Sequence, residues 1–81
     1  MEKEFIEKFD GLLDKYTELL LGESGEDLNE KVKMWALYSH IAKSMSPLAK
    51  HWNETYPEAK EEMKKLIAEI KELNEKNRQK N

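Results

Sequence analysis

Residues 31–45 read KVKMWALYSHIAKSM, and this stretch decides the predicted fold. Its apolar residues, with Leu28 just before them, recur at helical spacing but cover two sides of one helix. Leu28, Val32, Trp35 and Ala42 share the first side, and Met34, Tyr38, Ile41 and Met45 share the second, roughly 100° away. A helix that is apolar over much of its circumference is buried by more than one neighbour. We therefore predict either the central helix of a bundle or a helix that also contacts a partner chain.

Local signals bound this second helix. Asp27, followed three residues later by Glu30, has the spacing of a capping box, so we expect the helix to run from about 28 to 45. Ser46 and Pro47 then suit the start of a new helix, because serine caps well and proline is preorganised for a first turn. We predict a short connector helix over residues 47–54.

The stretch TYPE, residues 55–58, predicts a second capping box. Thr55 would cap the last helix and Glu58 would reach back to it, with Pro57 in the first turn. The last helix is expected from about residue 56 towards the terminus. Its apolar stripe is close to a heptad pattern and contains Ala59, Met63, Leu66, Ile67, Ile70 and Leu73.

The first helix is predicted over residues 2–21, and Gly22 is expected to end it. Gly11 inside this helix lowers the stability of the helix slightly, and its small size predicts that a neighbouring element comes close there. One stripe at helical spacing carries Phe5, Ile6, Phe9, Leu12, Leu13, Tyr16, Leu19 and Leu20. The chain as a whole is therefore predicted to be all-α, a small helical bundle of three long helices plus a short connector. Residues 1–75 form its single domain, and residues 76–81 are expected to be a frayed polar tail.

Size and composition favour association with a second copy. The chain has 81 residues and a mass of 9.6 kDa, and a core of this size is marginal on its own. It has no cysteine, which excludes disulfides and thiolate zinc sites, and it has only two histidines. Charged and apolar residues each make up 38%, which suits a soluble helical protein. We expect a homodimer.

Charge is unevenly distributed along the chain. Residues 1–30 carry ten acidic and three basic side chains, and residues 31–81 carry seven acidic and eleven basic ones. Neither part is basic enough to predict a nucleic-acid surface. No basic and apolar leader is visible, and no apolar stretch is long enough to cross a bilayer. We expect a cytoplasmic protein that binds neither nucleic acid nor membrane.

The candidates for chemistry are few. His40, His51 and Glu54 could offer three ligands to a divalent metal. The order of Glu and His is reversed relative to carboxylate-bundle metal motifs, so polar helix positions are the favoured interpretation. No serine is clearly paired with both a base and an acid, and no glycine-rich phosphate loop is present. We expect no enzymatic activity and no cofactor.

The aromatic residues predict a surface rather than a reaction centre. They could serve as core and interface anchors or line a groove for a ligand. The residues assigned to this interface or ligand groove are Met34, Trp35, Tyr38, Ile41, Met45, Trp52 and Tyr56.

Three runs carry a resemblance to a known family. LLDKYTELLLGE, KVKMWALYSHIAKSM and LAKHWNETYPEAK are similar to the small, uncharacterised YusU-like proteins of Bacillus-type bacteria. The resemblance covers most of the chain and implies a short cytosolic bacterial protein, with no catalytic residues to carry over. Two hypotheses stay open: a self-associating protein-interaction module with an unknown protein partner, or a small-ligand or metal-binding bundle that uses His40, His51, Glu54 and nearby aromatics.

Overall fold

The computed structural model describes residues 2–79, and all regular elements within that range are helices. They are α1 (Lys3–Leu21), α2 (Glu26–Ser44), α3 (Ser46–Thr55) and α4 (Pro57–Gln79). Three of these helices are long and α3 is short. The all-α prediction is confirmed.

Helix α2 contacts each of the other three helices, whereas α1 and α3 do not approach each other within the described range. This position explains why α2 is apolar on two sides. Its first side packs against α1 and α4, and its second side packs against α3. A helix with a single apolar stripe could not hold both sets of neighbours.

The buried centre is small. Leu21, Val32 and Ile70 bring α1, α2 and α4 together, and the Val32 side chain is fully buried. Partly buried side chains surround these three: Leu13, Leu20, Leu28, Trp35, Leu66 and Leu73. Thr17 is also fully buried, and its hydroxyl donates a hydrogen bond to the Leu13 carbonyl at 2.8 Å. The Thr17 hydroxyl is therefore satisfied within its own helix.

The first predicted capping box is wrong. Helix α2 begins at Glu26, and its cap residue, Gly25, makes no side-chain capping bond. Asp27 lies in the first turn, where a carboxylate stabilises the positive helix end, and it pairs with Lys31 at 3.4 Å. The Gly25 N–H is directed instead at the Asn29 side-chain oxygen, 3.5 Å away.

The second predicted capping box is also wrong. Thr55 is the last residue of α3, and its hydroxyl donates to the His51 carbonyl at 2.7 Å. The hydroxyl thus binds a carbonyl of its own helix, four residues earlier, and does not cap the next helix. Ser46 likewise is the first residue of α3, and the residue that caps that helix is Met45. Pro57 starts α4, since its fixed φ suits a first helical position.

The end of α1 is joined to the end of α4. Gly22 adopts the left-handed conformation, with φ 86°, and its N–H donates to the Glu18 carbonyl at 2.8 Å. The Asn77 amide donates to the Leu19 and Leu20 carbonyls at 3.0 and 3.3 Å. Residues 76–79 therefore form the last turn of α4, not a tail without structure. The remaining part of the predicted tail, residues 80 and 81, lies outside the described residues.

The molecule is flat and open for its size. Its extents are 38 × 35 × 21 Å and its radius of gyration is 14.4 Å, against about 12 Å for a compact domain of this length. Its accessible surface is 6552 Å², against about 5,100 Å² for a compact monomer of this mass. A large share of the apolar side chains therefore remains in contact with water.

Truncation of the same residue type at two sites should separate the core from the surface. Leu21 is 4% exposed and Leu37 is 60% exposed. Leu21→Ala should lower the free energy of unfolding by about 3 kcal/mol, because it leaves a cavity among buried side chains. Leu37→Ala should change it by about 0.5 kcal/mol or less. Urea denaturation measures both values, and equal losses would contradict the assignment of the core.

Glycine replacement should have opposite signs at two positions. A Cβ at Gly22 would lie 2.6 Å from the Asn77 side-chain oxygen in a left-handed backbone, whereas a Cβ at Gly11 meets nothing within 4 Å. The close neighbour expected at Gly11 is therefore not observed. Gly22→Ala should destabilise by about 1–2 kcal/mol, and Gly11→Ala should stabilise by about 0.5–1 kcal/mol. Thermal unfolding of the two variants tests this, and a rise in Tm for Gly22→Ala would refute the described helix end.

Candidate functional site

An apolar groove lies between α2 and α3, with one side chain of α4 beside it. Its volume is about 360 Å³. The residues that line it, here called the apolar groove, are Met34, Leu37, Tyr38, Ile41, Leu48, Ala49, Trp52 and Met63. The side-chain polar groups among them are the Tyr38 hydroxyl and the Trp52 indole N–H.

The sequence builds this groove by reversing the chain sharply after α2. A single residue, Met45, separates α2 from α3, so the two helices lie side by side. Leu48 and Trp52 are four residues apart and therefore share the face of α3 that meets α2. Ala49 is buried at the contact, where its small side chain allows the helices to come close.

Aromatic rings form one wall of the groove. The Trp52 ring lies 5.8 Å from the Tyr38 ring and 6.2 Å from the Tyr56 ring, and both pairs are tilted, the arrangement that aromatic pairs prefer. The Tyr38 hydroxyl donates to the Asn53 side-chain oxygen at 3.1 Å. This bond ties α2 to α3 and holds the Tyr38 ring, so the wall is formed before anything binds.

A second cavity of about 640 Å³ continues from the apolar groove towards α4. The two cavities share Met34, Trp52 and Met63. The charged residues around the second cavity have both signs: Lys31, Glu62, Lys65 and Glu69. The Lys31 ammonium lies 3.0 Å from the Glu69 carboxylate. The pKa of Lys31 is raised above its ordinary value, first because its ammonium donates a hydrogen bond to Glu69.

The structure brings together most of the residues assigned to the site from the sequence. Met34, Tyr38, Ile41 and Trp52 line the apolar groove, and Tyr56 contacts Trp52 at one end. Two assigned residues lie elsewhere: Met45 is exposed in the turn between α2 and α3, and Trp35 packs against the buried core.

Sequence reasoning missed four lining residues, and Leu48 is one of them although it lies four residues before Trp52. Leu37 lies three residues after Met34 and four before Ile41, so helical spacing could have identified it. Ala49 lies on the α3 face next to Leu48, but its small size gave no signal. Met63 belongs to α4, and its placement follows from the packing of α4 on α2 and α3.

The histidines do not form a metal centre with the residues proposed. His40, His51 and Glu54 are all exposed. Within residues 2–79, no group of three or more histidine, aspartate or glutamate side chains is placed to hold a metal ion. The metal-binding hypothesis therefore gains no support from the geometry.

Comparison with known proteins identifies the family. A family model described as "Protein of unknown function (DUF2573)" matches residues 3–80. The chain belongs to the DUF2573 family. This DUF2573 chain is 64% identical over 80 residues to "Uncharacterized protein YusU" of Bacillus subtilis (strain 168), and the match spans 99% of the chain and 84% of the relative.

The family resemblance read from the sequence is thereby confirmed. No solved structure matches the DUF2573 chain significantly. In the part of the chain that the structure describes, no helix has the length and apolarity required to span a membrane.

The bond between α2 and α3 can be tested with two tyrosines. Tyr38→Phe should destabilise the fold by about 1 kcal/mol, because the Asn53 side-chain oxygen loses its donor. Tyr56→Phe is the matched control, since Tyr56 is exposed, and it should change stability by less than about 0.5 kcal/mol. Chemical denaturation compares them. An equal effect of the two changes would mean that the Tyr38 hydroxyl does not hold the groove wall.

Proposed function

We propose that this protein is a non-enzymatic, cytoplasmic protein-interaction module. In this proposal the four helices form a small bundle that self-associates and binds an apolar segment of a protein partner in the apolar groove. The observation that carries the proposal is the groove itself. It is a preformed surface of methionine, leucine and aromatic side chains on a chain with very few buried residues.

The chemistry of the lining favours a protein segment over a small polar ligand. The Tyr38 hydroxyl already donates to Asn53, so the groove offers few free hydrogen-bonding groups to orient a small molecule. Met34 and Met63 have flexible, polarizable side chains that adapt to an apolar partner. Aromatic residues and methionine are enriched in protein interfaces. An amphipathic helix with apolar residues three and four apart has a matching shape.

The rim of the neighbouring cavity supports the same choice. Lys31, Lys65, Glu62 and Glu69 surround apolar side chains with charges of both signs. Such a rim is typical of protein interfaces, in which polar residues surround an apolar centre. The rim charges would set the orientation of the partner more than its affinity.

Uncovered apolar surface outside the apolar groove supports self-association. Phe9, Leu12 and Leu19 of α1 are between 53% and 68% exposed, and none of them lines the groove. The molecule also has more surface than a compact monomer of its mass requires. Symmetric dimers are the commonest way in which small chains bury such a surplus.

The alternative, a small-ligand or metal-binding bundle, has weaker support. His40, His51 and Glu54 are exposed to solvent. No residue of this set lines the apolar groove. We therefore retain the protein-interaction module as the proposed function.

The groove can be tested by one charge added at two places on the same helix. Leu37→Glu puts a carboxylate into the apolar groove, whereas Ala36→Glu adds the same charge at an exposed position that does not line it. The two variants and the wild type are used as bait in cells that make the protein, and captured proteins are measured by quantitative mass spectrometry. Any captured candidate is then purified and titrated against each variant.

We expect a partner that wild type and Ala36→Glu bind equally and that Leu37→Glu binds at least about 30-fold more weakly, since a buried unpaired charge is costly. Purified partners that bind all three forms with equal affinity would contradict the assignment of the groove.

A further inference from the structure

The apolar side chains in the first half of α1 are not packed against any other helix that the structure describes. Every residue from 3 to 12 is exposed. The residues of α1 that pack inwards all belong to its second half: Leu13, Thr17, Leu20 and Leu21. A helical stretch of about ten residues is marginal in water without packing. The first half of α1 therefore needs a neighbour that residues 2–79 do not supply.

The exposed apolar residues of α1 follow a heptad repeat. Phe5, Phe9, Leu12, Tyr16 and Leu19, here called the α1 seam, are separated by steps of 4, 3, 4 and 3. Each of them is between 44% and 68% exposed. The α1 seam is roughly 100° away from the inward-facing residues and about 21 Å long, from the angle and rise per helical residue. Phe5 and Phe9 already contact each other along it, with ring centres 6.4 Å apart.

A strict alternation of three and four is the spacing at which two helices pair side by side. A second copy of α1 carries the same spacing, and a two-fold axis brings identical surfaces together. The charges beside the α1 seam also permit this pairing. Lys8 and Lys15 lie along one edge, and they are paired within their own helix with Glu4 at 3.5 Å and Glu18 at 2.8 Å. No unpaired charge would have to be buried.

The area is sufficient for a stable dimer. The five side chains of the α1 seam expose roughly 550 Å² of mostly apolar surface. Two copies would bury about twice that, which exceeds the ~1,000 Å² expected of a specific interface. The accessible surface of one copy exceeds that of a compact monomer of this mass by about 1,400 Å². This excess is larger than the area that the interface would bury on each copy, so the interface does not need the apolar groove.

We propose that α1 pairs with α1 of a second copy along the α1 seam to form the homodimer. This inference rests on the self-association in the proposed function and specifies the surface that carries it. The apolar groove lies on α2, α3 and α4, and α1 does not approach α3. Dimerisation through α1 therefore leaves the groove free for a different protein.

The test uses the same substitution at two leucines of matched exposure. Leu12 in the α1 seam is 64% exposed and Leu37 in the apolar groove is 60% exposed. Wild type, Leu12→Glu and Leu37→Glu are compared by sedimentation equilibrium over a wide range of protein concentration. Circular dichroism at the lowest concentration checks that each variant is helical.

Wild type and Leu37→Glu should both reach twice the 9.6 kDa monomer mass, whereas Leu12→Glu should dissociate with a constant raised at least about 100-fold. If Leu12→Glu dimerises like wild type, the α1 seam is not the interface, although self-association stands. If wild type stays at the monomer mass at every concentration, self-association and this inference both fail.

Cross-linking gives a second readout that needs no destabilising charge. The chain contains no cysteine, so any disulfide that forms must join the introduced cysteines of two copies. Cysteines at Phe9, Leu12, Tyr16 and Leu19 are oxidised alone and in pairwise mixtures, with Leu37→Cys as the control. Seam cysteines should form disulfides between copies when their Cα atoms come within about 7 Å, and Leu37→Cys should stay reduced. If Leu37→Cys forms disulfides between copies and the seam cysteines do not, the proposal is overturned.

Discussion

The packing of Val32 between Leu21 and Ile70 is the contact on which the rest of the structure depends. It joins α2 to α1 and α4 in a cluster where side chains from three helices are nearly or fully buried. Once this side of α2 faces inwards, its other side must face away, and its cover consists of the short helix α3 with Met63 of α4 beside it. Three turns of helix are not enough for that purpose, so Met34, Leu37 and Leu48 stay about half exposed.

The same limit produces two separate apolar surfaces on a small chain. Helix α3 folds back on α2 and forms the apolar groove with it, whereas within residues 2–79 no other helix covers the apolar side chains of the first half of α1. A chain of 81 residues without disulfides has a small free energy of unfolding. Uncovered surface on this scale is best explained by binding, and the separation of the two surfaces allows one to hold a second copy and the other to hold a different protein. The family description and the relative from Bacillus subtilis name no activity, so the proposed function rests on the geometry of these surfaces.

The helices were predictable because their signals are local. Periodic apolar residues gave the four helical segments, and Gly22 gave the end of α1. The N-terminal caps were not predictable from the same rules, because the Thr55 hydroxyl can donate to the His51 carbonyl of its own helix as easily as it can cap the next helix. The apolar residues of α1 were predicted as one stripe. The structure divides them, with Leu13 and Leu20 turned inwards and the α1 seam turned outwards, since the division depends on where α2 and α4 lie.

Contacts between distant parts of the chain were beyond the sequence patterns. Asn77 bonds to Leu19 across 58 positions, and no spacing rule pairs these two residues. The apolar groove was predicted in part, because Met34, Tyr38 and Ile41 share one helix face and Trp52 is on the next helix. Met63 lines the groove and Trp35 does not, and both differences from the prediction follow from the packing of the long helices.

If α1 pairs with a second copy as proposed, its first half is ordered by that copy and not by its own chain. Amide hydrogen exchange across α1, followed as protein concentration is raised, tests this proposal. Residues 7–12 should exchange rapidly in dilute solution and become protected as dimers form, while amides near Val32 should be protected throughout. Protection of residues 7–12 that is as strong as that near Val32 and independent of concentration would contradict it.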